Sequence, residues 1–157
     1  MTNYVTKTLK KLLHKASTRA QHAPHLWTTP KYGQKRQYAT PPDTSAVLDS
    51  NGIKTVQKVV GSFLYYARAM DNTIITVLNE IAAKQTTPTE STTRKIKMLL
   101  DYLHTYPNAK IRFYRSDMIL YVDSDTAYLV AEKAKSRIAG YYYCSNKTSQ
   151  NTNQIHF

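Results

Sequence analysis

The hydrophobic period changes once along this chain, and that change constrains the fold class. From Ile53 to Leu103 apolar residues recur at helical spacing; from Ala109 they alternate with polar ones. Ile53, Val56, Val59, Val60, Phe63, Leu64, Ala67 and Met70 keep one helical period. Gly61 falls within it at a cost of up to about 1 kcal/mol against Ala, so a close helix contact is expected there. Asp71 or Asn72 can cap a second helix with Ile74, Ile75, Val77, Leu78 and Ile81 on its face. Thr87-Pro88-Thr89-Glu90 reads as a capping box with Pro at the first helical position. It opens a third helix with Ile96, Leu99, Leu100 and Leu103 facing inward. Glu90 and Arg94 are spaced for an i,i+4 pair, and Pro107 ends the helix.

The period of two begins with Lys110 to Arg115, where Ile111 and Phe113 alternate with Arg112 and Tyr114. Ser116-Asp117 makes a turn without the usual glycine. Met118 to Asp123 reads as the next strand, and Ile138 to Cys144, with Gly140 near its start, as another. The expected fold is α+β. A basic helix and Pro-containing connector fill 1–49, a three-helix region 50–107, and a small, incomplete antiparallel sheet 108–157.

The first segment carries the charge. The net charge is +12, and Met1 to Pro42 hold eight Lys or Arg with no Asp or Glu. Thr2 to Lys15 reads as a short amphipathic helix with Val5, Leu9, Leu12 and Leu13 on one face. Ser17 to Asp49 holds Pro24, Pro30, Pro41, Pro42 and Gly33 without any period, and reads as an extended connector. Such a connector, when ordered, lies along another surface, with Trp27 and Tyr32 as its natural anchors. The basic positions are Lys7, Lys10, Lys11, Lys15, Arg19, Lys31, Lys35 and Arg36, interleaved with Tyr4, Trp27, Tyr32 and Tyr38. Cations with aromatics among them suit a polyanion whose bases can stack, and nucleic acid is the expected partner. A solvated basic arm is the plainer reading of the same residues.

Other classes find less support. No apolar run approaches the roughly 20 residues that span a bilayer, and the N-terminus lacks the apolar region of a signal peptide. One cysteine, Cys144, leaves no internal disulfide framework and points to a reducing compartment. The expectation is an intracellular chain, neither secreted nor membrane-bound. His14, His22, His25 and His104 show no zinc spacing with Cys144 or another His, and read as surface residues. Cys144 reads as a strand core residue, and Tyr141, Tyr142 and Tyr143 as strand formers.

Several segments together resemble the copia-type retrotransposon polyproteins. Val60-Gly61-Ser62-Phe63-Leu64-Tyr65-Tyr66-Ala67-Arg68-Ala69-Met70-Asp71 is similar to the signature that follows the family's reverse transcriptase core. Leu99-Leu100-Asp101-Tyr102-Leu103 is similar to the helix end that follows it. Ser124-Asp125 resembles the acid that opens the family's ribonuclease H, and its interval to Gly140-Tyr141-Tyr142 matches the family's. Tyr4 to Leu9 resembles the helix after the polymerase palm, and Pro24 to Gly33 a linker of one branch. The likeness covers about Asn3 to Cys144. Each motif alone is weak; their order and spacing carry the specificity.

The resemblance implies a piece of a Pol polyprotein. It spans the thumb or connection region and the start of a ribonuclease H-type sheet, and it contacts template-primer or an RNA/DNA hybrid. The implied partners are nucleic acid and the remainder of the polyprotein. The implied cofactor is Mg²⁺ in the parent enzyme, with none held stably by this chain. The family's Tyr-x-Asp-Asp motif is absent, as are its palm and fingers. Of the four expected nuclease acids only the first has a counterpart, and Ala127 stands where a second aspartate is common.

A two-metal nuclease needs several carboxylates to hold two divalent ions and balance their charge. Asp125 is the expected first acid, from its interval to Gly140; Asp123, at the end of Tyr121-Val122-Asp123, is the alternative. Strand alternation places both on one face, and both could equally serve only to solvate a strand. Glu132 reads as a surface charge. Lys133, Lys135 and Arg137 read as a basic loop beside the acid. The expected activity is nucleic-acid binding without catalysis. The competing readings are a basic nucleic-acid-binding protein unrelated to transposition, and a helical protein-interaction module using Ser50 to Tyr106.

Overall fold

The computed structural model describes residues 3–26, 43–131 and 135–146. They fall into two compact units, one of residues 3–26 with 43–111 and one of 112–131 with 135–146. The first is helical and the second a β-hairpin, so the chain is α+β.

The helical unit holds α1 (Tyr4–Lys11), α2 (Ser50–Ala69), a 3₁₀ turn (Asn72–Ile74), α3 (Ile75–Ala83) and α4 (Glu90–Thr105). Its core joins Val56, Val59, Val60, Phe63, Tyr66 and Ala67 of α2 to Val77, Leu78 and Ile81 of α3. Ile96, Leu99, Leu100 and Leu103 of α4 complete that layer. Val5 and Leu9 of α1 are buried in the same cluster. The Tyr4 ring stacks on Tyr66 at 5.7 Å, and its hydroxyl donates to the Ser62 carbonyl at 2.5 Å.

The caps follow the sequence with two adjustments. Asp49 Oδ1 accepts the Gly52 N–H at 2.8 Å and starts α2. A Cβ on Gly52 would lie 2.7 Å from Leu48 Cβ, so this glycine lets the incoming chain approach the first turn. Asp71 caps the 3₁₀ turn through the Thr73 N–H at 3.2 Å. At α4 the N-cap is Thr89, whose N–H donates to Thr92 Oγ1 at 3.2 Å. The capping box thus begins two residues later than expected, at Thr89 rather than Thr87. Pro88 precedes the helix, and its carbonyl accepts the Leu48 N–H at 2.9 Å. Glu90, the first helical residue, donates its N–H to the Ala46 carbonyl. Among the described residues no ion pair joins Glu90 to Arg94.

Helix α1 stops earlier than its pattern suggests. The Leu13 N–H donates to the Lys10 carbonyl and the His14 N–H to the Leu9 carbonyl, both at 3.1 Å, with Leu13 at a positive φ of 52°. This is a Schellman termination. It turns Leu13 away from the apolar face, leaving it 86% exposed.

In the second unit β1 (Ile119–Ala131) pairs antiparallel with β2 (Lys135–Ser145), and these two strands are the whole described sheet. The register runs from Ile119 opposite Ser145 to Ala127 opposite Arg137, with an irregularity before Ala131 opposite Lys135. The expected strand at 110–115 does not form; Phe113 is 91% exposed. Ser116-Asp117 lacks the positive-φ residues that a tight hairpin turn needs. Asp117 instead donates its N–H to Asn146 Oδ1 at 2.9 Å, and Met118 takes the positive φ, 58°. Both strands run longer than their apolar cores predict. Cross-strand pairing carries them through Thr126 and Ala127.

Candidate nucleic-acid interface

Helix α2 has two unlike sides. Its inner side is apolar, whereas Lys54, Lys58, Gly61, Tyr65 and Arg68 are all exposed. Their spacing alternates four and three residues, which lines them up along one helix face. Fourteen residues separate Lys54 from Arg68, so the row extends about 21 Å. No acidic residue occurs between Ser50 and Ala69. The close helix contact expected at Gly61 is not seen: among the described residues a Cβ built there meets no heavy atom within 4 Å outside its own helical turns. The glycine therefore opens the outer surface of α2 rather than a packing seam. One turn later Tyr65 is 67% exposed, an aromatic ring held out from a rigid helix.

The N-terminal segment is fastened to α4. Lys7, Lys10 and Lys11 lie exposed on α1, and Lys15 and Arg19 on the stretch that follows. His14 is not a surface residue; its side chain is 8% exposed, and Nε2 lies 2.9 Å from Asp101 Oδ1. The Ser17 N–H donates to the same oxygen at 3.1 Å, and Lys97 Nζ reaches Asp101 Oδ2 at 2.8 Å. Burial on its own would raise the Asp101 pKa. The donors Lys97, Ser17 and His14 outweigh it and hold the carboxyl below its ordinary value. Farther along, the Gln21 N–H donates to Thr105 Oγ1 at 3.0 Å, and His22 Nδ1 lies 2.6 Å from the Tyr106 hydroxyl. His25 Nδ1 lies 3.0 Å from the Leu26 carbonyl, and His104 is exposed.

The other described end of the connector also meets α4. Asp43 accepts from the Ser45 hydroxyl and the Thr89 hydroxyl, each at 2.6 Å, with Lys84 Nζ at 3.6 Å. The Ser91 N–H donates to Ser45 Oγ at 3.2 Å. Lys31, Lys35 and Arg36 lie between these ends, outside the described residues, as do Trp27, Tyr32 and Tyr38.

On the hairpin, Asp123 faces Tyr141 and Asp125 faces Ala139, with Ser124 opposite Gly140. These six residues line a shallow open depression. Both aspartates are exposed and share one side of β1 with Tyr121. Tyr121 stacks on Tyr143 at 5.4 Å, and Tyr143 contacts Tyr141 at 5.3 Å. The opposite side carries Tyr142, which lies across Gly140: a Cβ there would come 2.9 Å from the Tyr142 hydroxyl. Cys144 is exposed on β2, not in a core. Lys135 and Arg137 belong to β2 rather than to a loop, while Lys133 and Glu132 lie outside the described residues.

Two carboxylates are hard oxygen donors of the kind Mg²⁺ takes. A two-metal pair needs more. Among the described residues no group of three His, Cys, Asp or Glu is placed to hold a metal ion. The residues present do not fit the two-ion site, and no reaction step is assigned to Asp123 or Asp125.

The sequence reading missed two features. Asp101 drew notice only within an apolar motif, although an acid among Leu99, Leu100 and Leu103 on an inward face already calls for a partner. The outward row on α2 escaped because Gly61 was read for its inner neighbours. Among the described residues no helix is long and apolar enough to cross a membrane. Comparison with protein-family models, with curated proteins and with solved structures gave no match.

Proposed function

We propose that this chain binds nucleic acid without catalysing a reaction on it, gripping a duplex such as template-primer or an RNA/DNA hybrid. The carrying observation is the outward row of α2: Lys54, Lys58 and Arg68 flank an unobstructed Gly61 and an exposed Tyr65, with no acid in the helix. A glycine with open space above it lets a sugar–phosphate backbone approach the helix closely. The three cations meet phosphates, and Tyr65 offers a ring to a sugar or base. The cations of α1 and of Lys15 and Arg19 add to the same long-range attraction.

The likeness to copia-type polyproteins supports the same reading, because Gly61, Tyr65 and Arg68 of the row fall within Val60 to Asp71, one of the segments that carry the likeness. In such a polyprotein this piece would hold the duplex while other parts supply the chemistry. Titration of a fluorescent RNA/DNA hybrid with the full chain at rising salt tests the proposal. Binding should weaken steeply as cations compete for the phosphates. Absent binding, or binding indifferent to salt, contradicts it.

A second reading has one observation in its favour. Leu120, Val122, Ile138 and Tyr142 share one side of the hairpin and are all exposed. An isolated two-stranded sheet is marginal in water, and such a face suits a protein surface such as the remainder of the polyprotein.

A further inference from the structure

Lys15 and Arg19 are exposed side chains on a stretch without regular structure, yet their backbone is held on both sides. His14 and Ser17, which flank Lys15, both meet Asp101 Oδ1, at 2.9 and 3.1 Å. Ser17 and Gln21 flank Arg19; the Ser17 hydroxyl accepts the Arg19 N–H at 3.2 Å, and the Gln21 N–H reaches Thr105 Oγ1 at 3.0 Å. Thr105 Oγ1 in turn donates to the Asp101 carbonyl at 2.9 Å. One residue of α4 thus holds the segment through its side chain and supports the next anchor through its backbone. The second carboxylate oxygen of Asp101 is held by Lys97, so the acid is itself fixed in orientation.

We infer that Asp101 is a positioning residue for polyanion binding: it latches His14 and Ser17, and so presents Lys15 and Arg19 as a fixed basic ridge beside α4. The inference rests on the nucleic-acid reading above. A flexible basic tail must be ordered when it binds, and that ordering costs affinity. A ridge already tied down avoids the cost.

The latch and plain electrostatics predict opposite signs. An acid close to bound phosphates repels them, so removing its charge alone should tighten binding. Removing a latch should loosen it, because Lys15 and Arg19 lose their fixed places.

The test uses the full chain and a short RNA/DNA hybrid, read by fluorescence anisotropy. At about 0.1 M salt, Asp101→Asn should weaken binding about fivefold or more, and the negative slope of log affinity on log salt should become shallower by about 1 to 2. In a Lys15→Ala/Arg19→Ala background the same substitution should have no further effect, a coupling that general loss of structure would not produce. His14→Leu breaks the latch while keeping the acid; it serves where Asp101→Asn fails to fold, and it should also weaken binding. Equal or tighter binding by a folded Asp101→Asn overturns the inference, as does an undiminished penalty in the double-alanine background. No binding by the unaltered chain would instead remove the nucleic-acid reading on which the latch depends.

Discussion

The Thr89 hydroxyl donates to Asp43 Oδ2 at 2.6 Å, tying one end of the connector to the N-terminal cap of α4. His14 and Asp101 tie the other described end nearer the C-terminus of the same helix. A segment without hydrophobic period is thus anchored by polar contacts, and both anchors use a carboxylate.

Those carboxylates predict an acid-labile fold. The Ser45 hydroxyl, then the Thr89 hydroxyl and the Ser45 N–H, hold Asp43 well below the usual carboxylate range, with Lys84 adding to the effect. Asp101 is also lowered, its donors outweighing the effect of burial. A pKa depressed in the folded state gives stability that is present above the unfolded value of about 4 and lost as pH falls through the folded value. Urea midpoints should therefore decline below about pH 5 and keep declining below about pH 4. At neutral pH Asp101→Asn should cost about 1–3 kcal/mol, because it weakens charge-assisted bonds at a largely buried group. The gap from the unaltered chain should narrow in acid; a gap constant from neutral pH to about pH 3 would contradict this assignment.

Leu13 predicts a stabilising substitution. It occupies the left-handed position of the α1 termination at φ 52°, exposed and without apolar cover. Glycine takes that conformation without the side-chain penalty, so Leu13→Gly should raise stability by about 0.5–1 kcal/mol. A thermal melt reads this directly, and a fall in midpoint would show that Leu13 makes a contact worth more than the strain.

Gly61→Ala separates stability from binding. Because a Cβ there meets nothing within 4 Å among the described residues, alanine should stabilise α2 by about 0.5–1 kcal/mol through helix propensity. The same methyl group would stand where the duplex backbone is proposed to approach, so hybrid affinity should drop. A variant both less stable and unchanged in binding would return Gly61 to a packing role.

The helices were legible from the sequence because burial imposes a strong period. Phe63, Leu78 and Leu99, predicted inward, are fully buried. Residues 110–115 misled because alternation describes a strand only when a partner is available, and β1 pairs with β2 instead. Leu13 misled because a termination bond, not the apolar pattern, sets its direction. His14 and Asp101 lie 87 positions apart, a pairing no local pattern encodes. In the candidate interface, Lys54, Lys58 and Arg68 were not singled out by composition; only the cations of α1, Lys15 and Arg19 were legible. The open space above Gly61 was not, since it depends on which side of α2 the rest of the unit covers.

The hairpin acids give a negative prediction. Purified chain with Mg²⁺ or Mn²⁺ should leave the RNA strand of a hybrid intact, since two carboxylates cannot hold and neutralise a metal pair. Cleavage that disappears in Asp125→Asn would contradict this and restore Asp125 as a catalytic acid.

The central claim is that the outward row of α2 meets phosphates. Its most direct test is the salt dependence of hybrid affinity for the full chain and for a Lys54→Ala/Lys58→Ala/Arg68→Ala variant. Each lost phosphate contact should reduce the steepness of the negative slope of log affinity on log salt by about 0.7 to 0.9, so the account predicts a slope shallower by about 2 to 3 with the fold intact. An unchanged slope would show that this face does not touch the nucleic acid.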